Sequence, residues 1–89
     1  MFQKYFLEFL GATFFIYIIL ATGNPLAIGA ALALVIILTS SVSGGHINPA
    51  VTIAMAAAGK IQTSEVVPYC LAQILGGLVA LEIYKRYKL

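Results

Sequence analysis

The sequence predicts an all-α membrane protein with three transmembrane helices and one re-entrant half-helix. Three observations predict it. Of the 89 residues, 62% are hydrophobic and 9% charged, far from the roughly half apolar, quarter charged balance of soluble domains. The charges gather near the ends or in one short loop, as Lys4 and Glu8, Lys60 and Glu65, then Glu82, Lys85, Arg86 and Lys88. Between Gly11 and Gly59 only His46 could carry one. Finally, a polar, glycine-rich turn beginning Ser43-Gly44-Gly45-His46 sits among apolar residues and leads into a short helical run.

The first span covers about residues 5–21, with Glu8 near one end. No small-residue cleavage site follows a short apolar core, so it reads as a retained span and not a signal peptide. The turn Thr22-Gly23-Asn24-Pro25 precedes a second span at about residues 26–41. The third covers about residues 66–84, with Thr63 or Ser64 as N-cap, Pro68 tolerated near its start, and Tyr84 and Tyr87 at the interface. Each is near the lower length limit for crossing, which leaves little room for tilt. The basic end Lys85-Arg86-Tyr87-Lys88 suits lipid headgroups, not nucleic acid. Cys70, the one cysteine, lies in an apolar segment and reads as a packing residue with no intrachain disulfide.

Between the second and third spans, residues 43–58 read as a re-entrant loop and half-helix. Glycine pairs and serines over residues 41–47 disfavour helix, and a run from Pro49 to Ala58 is closed by Gly59 and Lys60. At ~1.5 Å per residue that run is roughly 15 Å long, half of a ~30 Å hydrocarbon core. In lipid, irregular backbone is tolerated only where protein buries it or it borders a watery cavity. The competing reading is an external loop and surface helix, but Ile53-Ala54-Met55-Ala56-Ala57-Ala58 has no polar face for water. Gly11, Gly29 with Ala33, and Ala72 with Gly76 and Ala80 supply small residues for close helix packing.

Asn48 followed by Pro49 makes a strong helix start, since Asn caps well and Pro suits the first helical position. Starting near mid-membrane, this half-helix projects a partial positive dipole there. The Asn48 amide can cap the helix and still aim its NH₂ donors outward, while the carbonyls from Gly44 to Ile47 lack helical partners. A donor beside a row of acceptors suits neutral hydrogen-bonding molecules, and the positive helix end opposes cations and protons. A channel and a transporter remain equally compatible with this reading, because broken helices build transporter sites too. There is no nucleophile–base pairing, metal-ligand cluster or phosphate loop, so neither enzyme activity nor a cofactor or metal is expected.

The run Gly45-His46-Ile47-Asn48-Pro49-Ala50-Val51-Thr52 resembles the first signature of the aquaporin and glycerol-facilitator (major intrinsic protein) family. Supporting matches are Glu8-Phe9-Leu10-Gly11-Ala12-Thr13 and Tyr69-Cys70-Leu71-Ala72-Gln73-Ile74-Leu75-Gly76, and nearly the whole chain is covered in the order of the family's N-terminal half. The resemblance implies that Asn48, with Pro49 and Ala50, meets the passing solute. It implies that the carbonyls of Gly45, His46 and Ile47 line the pore, and that Glu8 and Gln73 brace the loop. His46 becomes a structural loop residue. Without the resemblance, Glu8 reads as an interfacial charge and Gln73 as interhelical glue.

The chain departs from the family in two ways. Family members carry two inverted repeats with two half-helices, whereas this chain holds one. Either two copies pair antiparallel, and such pairs associate further, or another chain supplies the second half. Lys4 and Lys60 on one side face Lys85, Arg86 and Lys88 on the other, leaving almost no positive-inside bias. Dual topology accounts for that balance, and so does a fragment of a larger protein. The second departure is Val51, where the family's second motif has a pore-narrowing arginine. By spacing from the motif, Ile28 and Ile36 flank the same constriction, giving an apolar filter that weakens the expectation of water or glycerol permeation and opens apolar gating or small gases such as ammonia as alternatives. The leading expectation is a multi-pass membrane channel for water or small neutral solutes, with the bilayer and a second copy as partners. A non-conducting half-channel or interaction protein is the alternative. An ion-coupled exporter of dual topology comes third, because Glu8 is the one buried acid.

Overall fold

A computed structural model describes residues 2–87; Lys88, one of the charges in the orientation argument, lies outside the described residues. Three long helices, α1 (Phe2–Thr22), α2 (Pro25–Ser43) and α4 (Val66–Arg86), surround a short α3 (Pro49–Ala57). All three are long and apolar enough to cross a membrane. The 39 Å long axis of the molecule exceeds the ~30 Å hydrocarbon thickness, as upright spans require. The chain is all helical, without strands among the described residues.

α1 is the central helix. It packs against α2 on one side and α4 on the other, while α3 leans on α4. The α1–α4 crossing depends on missing side chains: a Cβ added to Gly76 would sit 2.6 Å from the Phe9 carbonyl oxygen and 3.0 Å from the Ala12 Cβ. Ala80 is also fully buried, so the third span's small residues do bring backbones together. The core itself is small, with Ala12, Val35 and Ile47 flanked by Phe15 and Leu32. That is expected where lipid already solvates apolar side chains and close packing, not water exclusion, holds helices together.

Three local expectations are corrected. Gly29 and Ala33 do not mediate packing within the chain: both are exposed, and a Cβ on Gly29 would meet nothing within 4 Å. The buried face of α2 is instead Ala31, Val35, Thr39 and Ser43. α2 also runs on through Ser43, so residues 41–43 are helical and not loop. The reason is tertiary, since the Ser43 hydroxyl donates 2.7 Å to Glu8 Oε2 on α1 and lies 3.3 Å from the Thr39 carbonyl. Gly44, left-handed at φ 90°, then ends the helix with its N–H on the Ser40 carbonyl at 3.1 Å.

Neither Thr63 nor Ser64 caps the third span. Thr63–Glu65 forms a 3-10 turn, and Glu65 precedes α4 without a side-chain cap. The Glu65 carboxylate is drawn to α1, where it accepts from Tyr5 Oη at 2.8 Å and pairs with Lys4 Nζ at 3.1 Å. The other helix ends are closed by local bonds. Asn24 Oδ1 accepts from the N–H groups of Leu26 and Ala27 at 2.9 and 3.0 Å, ahead of Pro25 at the first position of α2. Gly59, at φ 77°, folds the chain back so that the Lys60 N–H reaches the Met55 carbonyl at 2.9 Å, closing α3.

Candidate functional site

Glu8 is the hub of the site. It lies on α1 with no solvent-exposed surface, facing the loop between α2 and α3. Its Oε2 accepts from Ser43 Oγ at 2.7 Å and the His46 N–H at 3.1 Å, and its Oε1 accepts from the Ile47 N–H at 2.7 Å and Gln73 Nε2 at 2.9 Å. Two bonds to each oxygen, all from donors, is the pattern a carboxylate takes. No ion pair found among the described residues includes Glu8, so hydrogen bonds alone compensate its burial.

The loop reaches Glu8 because three successive constraints allow it. Gly44 and Gly45 both have positive φ, conformations that favour glycine. A Cβ on Gly11 would lie 2.7 Å from Ile47 Cδ1, so the missing side chain there is what seats the loop against α1. Ile47 itself is held at φ 64°, a costly state of about 1–3 kcal/mol for a β-branched residue. Its bond to Glu8 and the burial of its side chain hold it there.

A second tier fixes the start of α3. Thr52, wholly buried one turn into α3, accepts from Gln73 Nε2 at 2.9 Å and lies 2.9 Å from His46 Nδ1. The His46 ring packs on Tyr69 with centroids 5.0 Å apart, and Tyr69 Oη donates to the Ser43 carbonyl at 2.7 Å. Gln73 spends both amide hydrogens on Glu8 and Thr52; its Oε1 has no donor among the described residues. Six polar side chains, those of Glu8, Ser43, His46, Thr52, Tyr69 and Gln73, thus turn toward one another behind the loop.

Asn48 faces the other way. Its Oδ1 caps α3 by accepting from the Ala50 N–H at 2.7 Å, and the residue is exposed. Pro49 is half-buried, Ala50 is exposed and Val51 is 40% exposed. Among the described residues, the carbonyls of Gly45, His46 and Ile47 accept no backbone hydrogen bond. Asn48 and Pro49 border an open cleft whose other walls include Phe15 and Ile19 of α1 and Ile74 and Leu78 of α4. A helix start with free amide hydrogens beside unbonded carbonyls can bind and pass small hydrogen-bonding molecules. It offers no nucleophile, and no cluster of metal ligands occurs among the described residues.

Of the residues singled out from the sequence, Glu8, Gln73 and the loop from Gly45 to Asn48 come together; His46 and Ile47 bury their side chains, and Ile47, Asn48, Pro49 and Gln73 border the cleft. Ile36 joins them, since a Cβ on Gly45 would lie 3.3 Å from its Cα. Ile28 sits half-buried in the first turn of α2, with its N–H on the Asn24 carbonyl. Ser43, Thr52 and Tyr69 were not singled out. For Tyr69 a signal existed, because it lies four residues before Gln73 and so shares its helix face.

The family model described as Major intrinsic protein matches residues 1–88. Among curated relatives, the chain is 37% identical over 94 residues to "Glycerol uptake facilitator protein-like 6" of Lactiplantibacillus plantarum, covering 96% of this chain and 44% of that protein. It is 43% identical over 58 residues to "Aquaporin Z" of Photorhabdus laumondii, covering 65% of this chain and 25% of that one. To "Aquaporin-8" of Notomys alexis it is 36% identical over 94 residues, covering 93% and 36%. The chain therefore spans less than half the length of these relatives. No solved structure matches it.

Proposed function

Because this chain belongs to the major intrinsic protein family, we propose that it forms a passive channel for water or small neutral solutes by pairing antiparallel with a second copy of itself. The observation that carries the reading is Asn48, exposed at the start of a half-length helix, capping with its oxygen and leaving its NH₂ free. Pro49, Ala50 and the carbonyls of Gly45, His46 and Ile47 complete that face. Groups of this kind at membrane depth cannot face lipid without a large cost, so another protein surface covers them. Ser40, Gly29 and Ala33, exposed along α2, extend the uncovered face toward such a partner.

Charge supports insertion both ways. Lys4 pairs with Glu65 at 3.1 Å on one side, and Glu82 holds Lys85 at 3.5 Å and Arg86 at 3.0 Å on the other. Lys4 and Lys60 stand on one side against Lys85 and Arg86 on the other, two against two among the described residues, which leaves little for the positive-inside rule to read. Adding two arginines at the N-terminus is expected to bias orientation and lower flux. Full activity from such a variant, with every chain in one orientation, would exclude the antiparallel pair.

Osmotic shrinkage of liposomes containing this chain alone is the direct test, with faster shrinkage than in empty liposomes expected. Asn48→Asp places a negative charge against the free end of the helix and removes the solute donor. It is expected to cut water flux at least about tenfold, equivalent to ~1.4 kcal/mol in the barrier, and to admit cations. Unchanged flux would remove Asn48 from the passage. The second reading, a half-channel that conducts only with a different partner half, is favoured by the chain's covering less than half of its relatives. It predicts no flux from this chain alone. A coupled exporter is disfavoured, because every oxygen position of Glu8 is taken by the loop and Gln73.

A further inference from the structure

We propose that His46 is a positioning residue for the start of α3. In its neutral form it accepts at Nδ1 from the Thr52 hydroxyl, and it releases that hold when its ring takes up a proton. Gln73 Nε2 donates one hydrogen to Glu8 Oε1 and the other to Thr52 Oγ1, both at 2.9 Å. Turning the amide over would set its oxygen against the Glu8 carboxylate, so this orientation is fixed. Thr52 Oγ1 has then accepted once, and its own hydrogen needs an acceptor inside a wholly buried site. His46 Nδ1, 2.9 Å away, is the acceptor in reach. A lone pair there puts the ring hydrogen on Nε2. That end of the ring lies at exposed Gly44, where an added Cβ would come within 3.2 Å of it.

A proton reverses the arrangement. Imidazolium carries a hydrogen on each nitrogen, so Nδ1 becomes a second donor to Thr52 Oγ1 and the Thr52 hydrogen is left without an acceptor. The change passes directly to the exposed face, because the Thr52 N–H bonds to the Asn48 carbonyl at 3.1 Å. Around the ring, α1 contributes the Glu8 carboxylate, which accepts from the His46 N–H at 3.1 Å. α4 contributes Tyr69 on the ring face, which meets Tyr5 of α1 edge-on, and Lys4 and Glu65 pair with each other beyond Tyr5. α2 and α3 contribute the hydroxyls of Ser43 and Thr52 and no charge. A positive ring is therefore drawn toward Glu8, the carboxylate that the loop N–H groups need.

His46 is the one histidine of the chain, so NMR of the ring nitrogens in the intact, isotope-labelled protein reports it alone. The Nε2–H form is expected at about pH 8, with uptake of a proton on acidification to about pH 5, the span in which histidines change charge. Over that change water flux across proteoliposomes is expected to fall about tenfold, the scale of one lost hydrogen bond, and the melting temperature in detergent to fall with it. His46→Asn puts an oxygen in place of Nδ1 and takes up no proton. Both of its profiles, each relative to its own value at the higher pH, are expected to be flat. Thr52→Ala removes the donor and is expected to let the Nδ1–H form appear, whereas Thr52→Ser keeps Nε2–H. An Nδ1–H ring in the unaltered chain overturns the proposal, as does a ring that stays neutral throughout, or an equal pH dependence in His46→Asn. Only the flux measurement rests on the paired-channel reading. Proteoliposomes that shrink no faster than empty ones at any pH overturn that reading, while ring signals and melting still decide the part played by His46.

Discussion

Replacing Glu8 with alanine is expected to abolish transport and unfold the re-entrant loop. Four donors lose their acceptor at once: Ser43 Oγ, the N–H groups of His46 and Ile47, and Gln73 Nε2. The two backbone N–H groups have no other partner among the described residues, and each orphaned buried donor costs about 1–3 kcal/mol. Ile47 loses the bond that holds it at φ 64°, so the strain stored there is released by rearrangement of the loop. Gln73 keeps its bond to Thr52, but Thr52 then has no fixed reference on α1. A large drop in thermal stability in detergent, with flux at the level of empty liposomes, is the expected readout. Glu8→Gln should fall between, since it keeps one acceptor oxygen and turns an NH₂ against existing donors. A Glu8→Ala protein with unaltered melting and flux would show that the loop holds its shape without the hub.

The second large effect is expected at the α1–α4 crossing. Gly76→Val places a branched side chain where even a Cβ would sit 2.6 Å from the Phe9 carbonyl oxygen and 3.2 Å from the Thr13 nitrogen. Those neighbours are backbone and cannot rotate away, unlike the side-chain terminus of Ile16 that faces Gly77 at 2.9 Å. Overpacking typically costs about 1–3 kcal/mol and more where backbone must shift. Here the shift separates Glu8 on α1 from Gln73 on α4, so the loop loses its brace along with the bundle. The expected result is loss of the monodisperse folded particle in size-exclusion chromatography. The same change at Gly29, where nothing lies within 4 Å, should leave the fold of the single chain intact. Equal behaviour of the two variants would contradict the packing described.

Much of the fold was legible without coordinates. Spans near residues 5–21, 26–41 and 66–84 fall inside α1, α2 and α4, because length and hydropathy alone decide whether a helix can cross a bilayer. The half-helix was legible as well, since the cap at Asn48, Pro49 at the first position and the closing glycine act within a few residues. What escaped was every feature set by a distant partner. The serines of residues 41–43 read as helix breakers, yet Ser43 stays helical by bonding to a residue 35 positions away. Thr63 and Ser64 read as caps, yet Glu65 is drawn to Lys4 and Tyr5 and a 3-10 turn forms in their place. Gly29 and Ala33 read as a packing stripe, and only the rotation of α2 about its axis turned them outward.

By itself, then, the sequence determined that this is a multi-pass membrane protein resembling one repeat of its family, and that Asn48 and Pro49 start its half-helix. Those properties are local: spacing, capping and transfer of side chains into lipid need no knowledge of the rest of the fold. The tertiary structure decided which polar groups face inward and which are left exposed. Glu8 gathers donors from α2, the loop and α4, and in doing so it commits Ser43, Thr52 and Gln73 and turns Asn48 and Val51 to the open side. That division depends on three helices meeting at glycines, a geometry that no window along the chain contains.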